Sequence, residues 1–475
     1  MNNFHYHYHR RLRFLKKLRK DLAESIAGTD RDFTTMKISR AIFLLSIPMV
    51  LEMVMESVFA VVDIFFVSRL GADAVAMVGI TESLITVVYA IGIGLGAGTM
   101  ALVARRIGEK RKDQAARVGY HAILLGLFVS LWIALAGIYY SEKLLLMMGI
   151  DAGIAAEYAV YPTIMIGTNA VIMMLFIINA IFRSSGDAAL SMRVLWVANI
   201  FNIILDPCLI FGLGPFPELG LKGAAIATSV GRGLAVLYQF YMLYYGKKRI
   251  RLRGIRWRLE FGIFRKLVRL SAGGIGQMLI TESSWIILVR ILAEFGSTVI
   301  AGYTIALRII LFILLPAFGL SNAAGTLVGQ NLGARQPDRA QSSVWITGVA
   351  NMVFLGIVAL LFVLNPGYFI RLFIADPEVV AAGKICLRTI SYGFIFYALG
   401  MVVVQAFNGS GDTFTPMKIN VICFWIIEIP LAYLLAVTFG LAERGVYLSI
   451  LISETVMTII SLWIFQRGRW KLNQV

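Results

Sequence analysis

Charge is scarce in this chain: Asp, Glu, Lys and Arg make up 15% of its 475 residues, against 59% hydrophobic residues and a mean hydropathy of +0.79. A soluble globule of this length could not cover so much apolar surface, so lipid is required as solvent. Cysteine is nearly missing. The three present, Cys208, Cys386 and Cys423, all fall within apolar runs, which suits small buried hydrophobes and leaves no framework for disulfides or zinc. No cleavable signal peptide is expected either, because the basic leader is too long and the first apolar run continues into a full span.

What the chain does have is apolar runs of about 20 residues or more, each long enough to cross a bilayer as a helix. The first six lie near 41–67, 76–104, 117–140, 158–182, 188–213 and 222–245. The second six lie near 266–293, 299–329, 342–365, 383–407, 415–439 and 444–466. Backbone groups in hydrocarbon must be satisfied within the segment, and runs this continuous fit helices rather than barrel strands. The two sets repeat each other at an offset of 225 residues without a gap. Arg40 pairs with Arg265, Leu45-Ser46 with Leu270-Ser271, Gly71 with Gly296, and Gly94-Leu95 with Gly319-Leu320. Gly108 pairs with Gly333, Asp113 with Asp338, and Ser185-Gly186-Asp187 with Ser410-Gly411-Asp412. An even number of spans per repeat makes both halves face the same way. The expected fold is therefore an all-α membrane protein of twelve transmembrane helices, in two six-helix lobes related by a pseudo-two-fold axis along the membrane normal. That architecture points to a transporter.

The net charge of +17 invites a nucleic-acid reading, but its distribution argues for topology instead. Basic residues crowd the tail (Arg10, Arg11, Arg13, Lys16, Lys17, Arg19, Lys20), the loop from Arg105 to Arg117 and the connection from Lys247 to Arg258. The alternate loops hold few: Arg69, Lys143, Lys222, Arg371 and Arg444. Both termini are thus expected in the cytoplasm, in a multi-pass protein of the cell (inner) membrane. The expected organisation is a basic tail over 1–33, an N-terminal lobe over 34–245, a cytoplasmic connection over 246–262, and a C-terminal lobe over 263–475 that ends in a short cytoplasmic tail. In the tail, Leu12, Leu15, Leu18, Leu22 and Ile26 recur at helical spacing among cations, the pattern of an amphipathic helix on an anionic leaflet, or simply of a solvated topogenic segment. His5, His7 and His9 alternate with Tyr6 and Tyr8, a weak metal-binding pattern. The aspartates of the two Ser-Gly-Asp turns are expected to cap the next helix.

A carboxylate at the centre of a span costs about 2.5–3.5 kcal/mol on insertion scales, so each is a functional candidate. Helix 1 carries Glu52, Glu56 and Asp63, whose spacing places all three within about 40° around the helix. That acidic stripe should face the lobe interior or a wet cavity. Helix 5 carries Asn202 and Asp206 one turn apart, and Pro207 removes a helix hydrogen bond and leaves a carbonyl near residue 203 open to a cation or a water. These hard oxygen donors suit sodium-like ions, while a desolvated carboxylate could instead load and release protons. For Glu82, His121, Arg290, Arg308, Glu428 and Glu454, an internal ion pair or a place near the interface is the expectation.

These residues resemble the multidrug and toxic compound extrusion family of cation-coupled antiporters, from Ser46-Ile47-Pro48 and Val62-Asp63 through the glycine-rich loops to the second lobe. The resemblance implies an N-lobe cation or proton site at Asp63, Asn202, Asp206, Asn179, Tyr161 and Thr228, and a bend of helix 1 at Pro48. It implies secondary active efflux of small amphipathic, often cationic organic molecules by alternating access, in exchange for protons or sodium, with no other cofactor. A monomer in the bilayer, without nucleic acid, is expected. Tyr161 and Asn179 are 18 residues apart on helix 4 and so share a face. Glu52 and Glu56 stand where the family pattern has neutral polar residues, a departure that could alter ion stoichiometry or favour cationic substrates. Glu282 on helix 7 resembles a C-lobe acid of another branch.

Other readings compete. A flippase for lipid-linked sugars would use the basic central loop. Major-facilitator transporters share parallel six-helix halves, but Gly108-Glu109-Lys110-Arg111-Lys112-Asp113 lacks their loop pattern. An integral membrane lipid-modifying enzyme would need paired aspartates or a His–acid dyad at one membrane face, and neither appears. Two nonidentical lobes offer a channel no symmetric filter.

Overall fold

The computed structural model describes residues 16–246, 249–255 and 258–474. Among them are twelve long helices and no strand. Spans 1, 2 and 3 are Ile38–Val67, Ala72–Gly108 and Lys112–Met147. Span 4 is Val160–Ser185, preceded by the short helix Ala152–Tyr158, and spans 5 and 6 are Ala188–Phe211 and Gly220–Tyr245. The second lobe repeats this with spans 7, 8 and 9 at Phe261–Leu292, Ser297–Gly333 and Pro337–Leu364. Span 10 joins Pro377–Ser391 to Phe394–Ser410, span 11 is Phe414–Thr438, and span 12 is Glu443–Gln466. Eight of these are long and apolar enough to cross a membrane, and a ninth is made by the two arms of span 10. Spans 1, 6 and 7 match them in length. Spans 3 and 9 turn Phe128, Leu131, Trp132, Ile357 and Leu360 outward, the surface of a protein solvated by lipid. The chain is an integral, multi-pass membrane protein.

The repeat is visible in the turns. Gly71 and Gly296 take φ of 106° and 102°, a region that favours glycine, and each starts the helix that follows a short 3-10 turn. The two Ser-Gly-Asp turns differ. Asp412 accepts hydrogen bonds from the Thr415 amide at 3.1 Å and hydroxyl at 2.7 Å, as a cap should. Asp187 instead accepts from the Arg249 amide at 3.3 Å and ties down the connection between the lobes.

Three helices depart from simple rods. Span 4 breaks between Gly167 and Asn169, span 10 bends by 56°, and span 11 contains π-helical segments at Val421–Glu428 and Leu434–Thr438 on either side of Ile429–Tyr433. Pro430 lacks the amide proton that a regular ladder needs there. Span 1 is one continuous helix with Pro48 inside it.

Both termini lie on one face, called here the terminal face, and there the lobes meet. A Cβ on Gly94 would collide with the backbone of Ile275, and one on Gly108 with the carbonyl of Gln330. Their repeat partners do the same in reverse: Gly319 abuts Met49 and Gly333 abuts the Arg105 carbonyl. Each of these contacts falls in the half of its helix next to the terminal face. Closure of that face thus depends on positions without a side chain. Gly108→Val is expected to force the lobes apart there, and spin labels on loops 109–111 and 334–336 should report a longer distance than in the parent.

A strap crosses the same face. Arg249 donates to the carbonyls of Ser185 and Thr29, each at 3.0 Å, and to that of Arg31, while Arg339 of the second lobe donates to the carbonyls of Phe33 and Met36. Lys110 pairs with Asp32. Partial burial alone would raise the Asp32 pKa, but the bonds from Lys110 and Thr34 outweigh it and hold the carboxyl below its usual value. A depressed folded-state pKa stabilises the strap above the unfolded value, and that contribution is lost as pH falls through the folded one. The strap should therefore become protease-sensitive only below about pH 4, and earlier cleavage between residues 28 and 36 would contradict this. In the described part of the connection between the lobes, Ile250 and Leu252 are buried. His121, which had no partner readable from sequence, accepts from the Glu260 amide at 2.8 Å and bonds the Arg117 carbonyl, so it anchors the start of span 7.

The amino-terminal helix, 16–27, docks on span 1 through Ser25 to the Leu44 carbonyl at 3.1 Å and Arg40 to Asp21 and Glu24 at 2.8 Å. Leu18, Leu22 and Ile26 stay exposed. His5, His7, His9, Leu12 and Leu15 lie outside the described residues.

Candidate functional site

The acidic stripe of span 1 faces the lobe interior, and its members divide between two clusters at different depths. The outer cluster gathers spans 1, 4, 5 and 6 around Asp206, which is fully buried. Asn202, one turn earlier on span 5, bridges it to span 6. With its amide oriented to satisfy both neighbours, Asn202 donates to Asp206 Oδ2 at 2.8 Å and accepts from Thr228 Oγ1 at 3.0 Å. Asp206 Oδ1 is buried without a partner. Asp63 lies within Coulombic reach of Asp206, and Tyr161 within reach of both. Five of the six residues expected at this site therefore come together: Asp63, Asn202, Asp206, Thr228 and Tyr161.

The sixth, Asn179, does not join them. It belongs to an inner cluster nearer the terminal face, where it donates to Glu52 at 3.2 Å and accepts from Gln239 at 2.6 Å. Sharing a helical face with Tyr161 did not bring it to the same site, because 18 residues at 1.5 Å rise separate the two by about 27 Å along the axis. The break in span 4 also resets the helical phase between them.

Sequence reading missed the cations that hold these acids. Glu52, 1% exposed, pairs with Arg183 at 2.9 Å, and Glu56 pairs with Arg232 at 3.4 Å. Arg232 also donates to the Tyr89 hydroxyl at 3.1 Å, lies over the Phe59 ring, and is within Coulombic reach of Asp63. The available signal was an arginine in mid-span, which hydrocarbon does not tolerate without a counter-charge. Arg183 had been masked by its place near a helix end.

Asp206 thus presents a buried, unpartnered oxygen beside a second carboxylate, an amide and two hydroxyls. An all-oxygen set of this kind can hold a proton or a hard cation and has no soft donor for a transition metal. No metal cluster of three or more ligands occurs among the described residues. A family model described as MatE matches residues 48–208 and 275–434, one stretch in each repeat and together well over half of the chain. The chain belongs to the MatE family. It is a transporter and not an enzyme.

Among the relatives of this MatE protein, the probable multidrug resistance protein NorM of Thermotoga maritima is 23% identical over 445 residues, which covers 92% of this chain and 94% of that one. An FAD transporter of Shewanella oneidensis is 28% identical over 445 residues, covering 90% and 95%. The fold is that of a multidrug resistance MATE family transporter of the MOP superfamily solved in an outward-facing conformation, at a TM-score of 0.87 and 23% identity over 93% of this chain and 98% of that one. A MATE structure in the bent conformation gives 0.86 at 24% identity, over 92% and 97%.

The remaining candidates are spread through this MatE fold. Glu282 on span 7 is half-buried and makes no ion pair or hydrogen bond among the described residues. Glu82 of span 2 and Arg308 of span 8, both exposed, lie within Coulombic reach across the two lobes. Arg290 is exposed at the end of span 7. Glu428 and Glu454 make no ion pair: both are in the second lobe, and neither has a cation partner among the described residues.

Proposed function

We propose that this transporter exports small amphipathic, often cationic organic molecules in exchange for inward protons or sodium, with the outer N-lobe cluster as the coupling site. The observation that carries the reading is the unpartnered Asp206 Oδ1, sealed in the lobe beside Asp63. Two nearby carboxylates in low dielectric repel each other, and a bound positive charge relieves that repulsion. The site therefore has a reason to bind an ion, and a reason to rearrange when the ion leaves. Asn202 positions Asp206 and reports its state to span 6 through Thr228, while Tyr161 closes the site from span 4. Glu52 and Glu56 act in this scheme as partners of Arg183 and Arg232 rather than as further coupling acids.

With the basic loops and both termini assigned to the cytoplasm, the closed terminal face is the inner one. A cell-membrane protein working as a monomer fits this arrangement. Exchange then requires the lobes to separate at the glycine contacts and at the strap. The names of the relatives, several of them multidrug resistance proteins, support export as the direction. The test is transport of ethidium in proteoliposomes under an imposed proton or sodium gradient. Asp63→Asn and Asp206→Asn should each stop gradient-driven movement in folded protein, and normal driven transport in both would refute the assignment.

A further inference from the structure

The amino-terminal helix, 16–27, has three faces of different chemistry. Asp21, Glu24 and Ser25 turn toward span 1, where Arg40 pairs with both acids at 2.8 Å and the Ser25 hydroxyl donates to the Leu44 carbonyl at 3.1 Å. Leu18, Leu22 and Ile26 are 41%, 40% and 40% exposed, and touch nothing that would cover them. Lys16, Lys17, Arg19 and Lys20 are exposed as well, and none of them makes an ion pair or a hydrogen bond among the described residues. At about 100° per residue, the apolar stripe covers about 80° of the helix and is centred about 110° from the docked face. Arg19, Lys16 and Lys20 follow on the far side of the stripe. A helix held sideways against a protein and lying in a membrane interface needs this order: protein contact, then an apolar stripe roughly perpendicular to it, then cations on the outer flank.

A separate set of contacts fixes the depth of that stripe. Leu44 lies well inside span 1, about 9 Å along the axis from Ile38 at its start, so the helix lies beside the span rather than above its end. Its other end is held by span 5, where Arg193 donates to the Ala27 carbonyl at 3.4 Å. Deeper along the same outward face of span 5 come Trp196, Val197, Ile200 and Ile204, all exposed. Tryptophan favours the membrane interface and the aliphatic residues favour the hydrocarbon below it. The helix therefore sits at the upper edge of a lipid-facing surface, with unpaired cations at headgroup level and Arg193, itself exposed, among them.

We propose that helix 16–27 docks on anionic phospholipid in the leaflet at the terminal face, with Leu18, Leu22 and Ile26 among the upper acyl chains and Lys16, Arg19 and Lys20 on the headgroup phosphates. Charge decides the occupant. A clustered set of cations beside an apolar stripe is complementary to a negative lipid surface, where each contributes to binding within a Debye length. A second copy of the chain would set the same cations against each other, and like charges repel. The helix leads through Gly28, at a φ of 89°, directly into the strap that Arg249 and Arg339 hold. Lipid contact thus pins one end of the element that both lobes grip. This docking is independent of the coupling-site assignment.

The test uses the full chain in nanodiscs of phosphatidylcholine alone and of phosphatidylcholine mixed with phosphatidylglycerol. A nitroxide is attached to Leu22→Cys, and its access to oxygen and to a neutral nickel chelate is read by power saturation, with the signal of the parent, which has Cys208, Cys386 and Cys423, subtracted. In the mixed discs the label should favour oxygen, and nickel access should be several-fold lower than in phosphatidylcholine alone. High salt should restore nickel access, and so should replacing Lys16, Lys17, Arg19 and Lys20 with Gln. A nitroxide on Lys20→Cys should meet nickel in both lipids. Hydrogen exchange on the unsubstituted parent checks the same claim without a variant: amides 16–27 should exchange about tenfold more slowly in the mixed discs, the effect of roughly one or two cations held at the surface. Equal nickel access at residue 22 in the two lipids, whether high or low, overturns the proposal, and so do equal exchange rates. Dipolar broadening between labels at residue 22 in detergent would name a second copy as the occupant and overturn it as well.

Discussion

The Asp206→Asn variant should fold, bind ethidium, and fail to move it when a proton or sodium gradient is imposed. Asn has nearly the shape of Asp, and its amide oxygen can still accept the hydrogen bond from Asn202 that Asp206 Oδ2 accepts at 2.8 Å. What it cannot do is change charge. A ligand shifts a two-state equilibrium only by its difference in affinity for the two states, and moving one from 1:99 to 99:1 takes about 5.5 kcal/mol. Removing the charge removes that difference, so the loss should be of coupling altogether rather than a partial slowing. Downhill counterflow of ethidium should survive. If counterflow and driven transport fell together while the protein remained monodisperse, Asp206 would be binding substrate rather than the coupling ion.

The largest stability effect is expected from Arg183→Ala. Glu52 is almost completely buried, with Arg183 at 2.9 Å and Asn179 at 3.2 Å as its partners and Oε2 already unpaired. Removing one partner of a buried ion pair costs about 3–5 kcal/mol, because the other charge is left in low dielectric. The midpoint of thermal unfolding in detergent should fall sharply, and Glu52→Gln added to Arg183→Ala should recover most of the loss. The recovery matters because a purely steric role for the arginine would leave the double variant as unstable as the single one. The pair is thus read as a structural clamp between spans 1 and 4 that keeps the acidic stripe inside the lobe.

The spans and their pairing into two repeats were legible because hydrocarbon imposes length and apolarity on every segment, and because glycines needed for turns or close approach recur at one offset. Gly94 and Gly108 could be seen as repeat partners of Gly319 and Gly333, yet only the packed structure reveals that all four mark the contact between the lobes. At the site, Asn202 and Asp206 were readable as a local pair, and Asp63, Thr228 and Tyr161 followed from the family pattern. Asn179 was misplaced because a shared helical face says nothing about depth, and because a break in span 4 leaves no clear mark in the residues around Gly167. Arg232 and Arg183 were missed for a different reason. The acids were considered one helix at a time, while their counter-charges come from spans 4 and 6. Glu428 and Glu454 illustrate the same limit, since nothing in sequence tells whether two acids on adjacent helices will find cations or each other.

The account rests on one ion-loaded acid site whose occupancy excludes substrate or alters its binding. Its most direct measurement is ion release on substrate addition: ethidium is titrated into detergent-purified protein, and protons and sodium appearing in solution are followed. Parent protein should release ions in proportion to bound ethidium, and the Asp206→Asn variant should release markedly fewer at equal occupancy. Equal release from both, or none from the parent at saturating ethidium, would contradict the assignment of Asp206 as the coupling group.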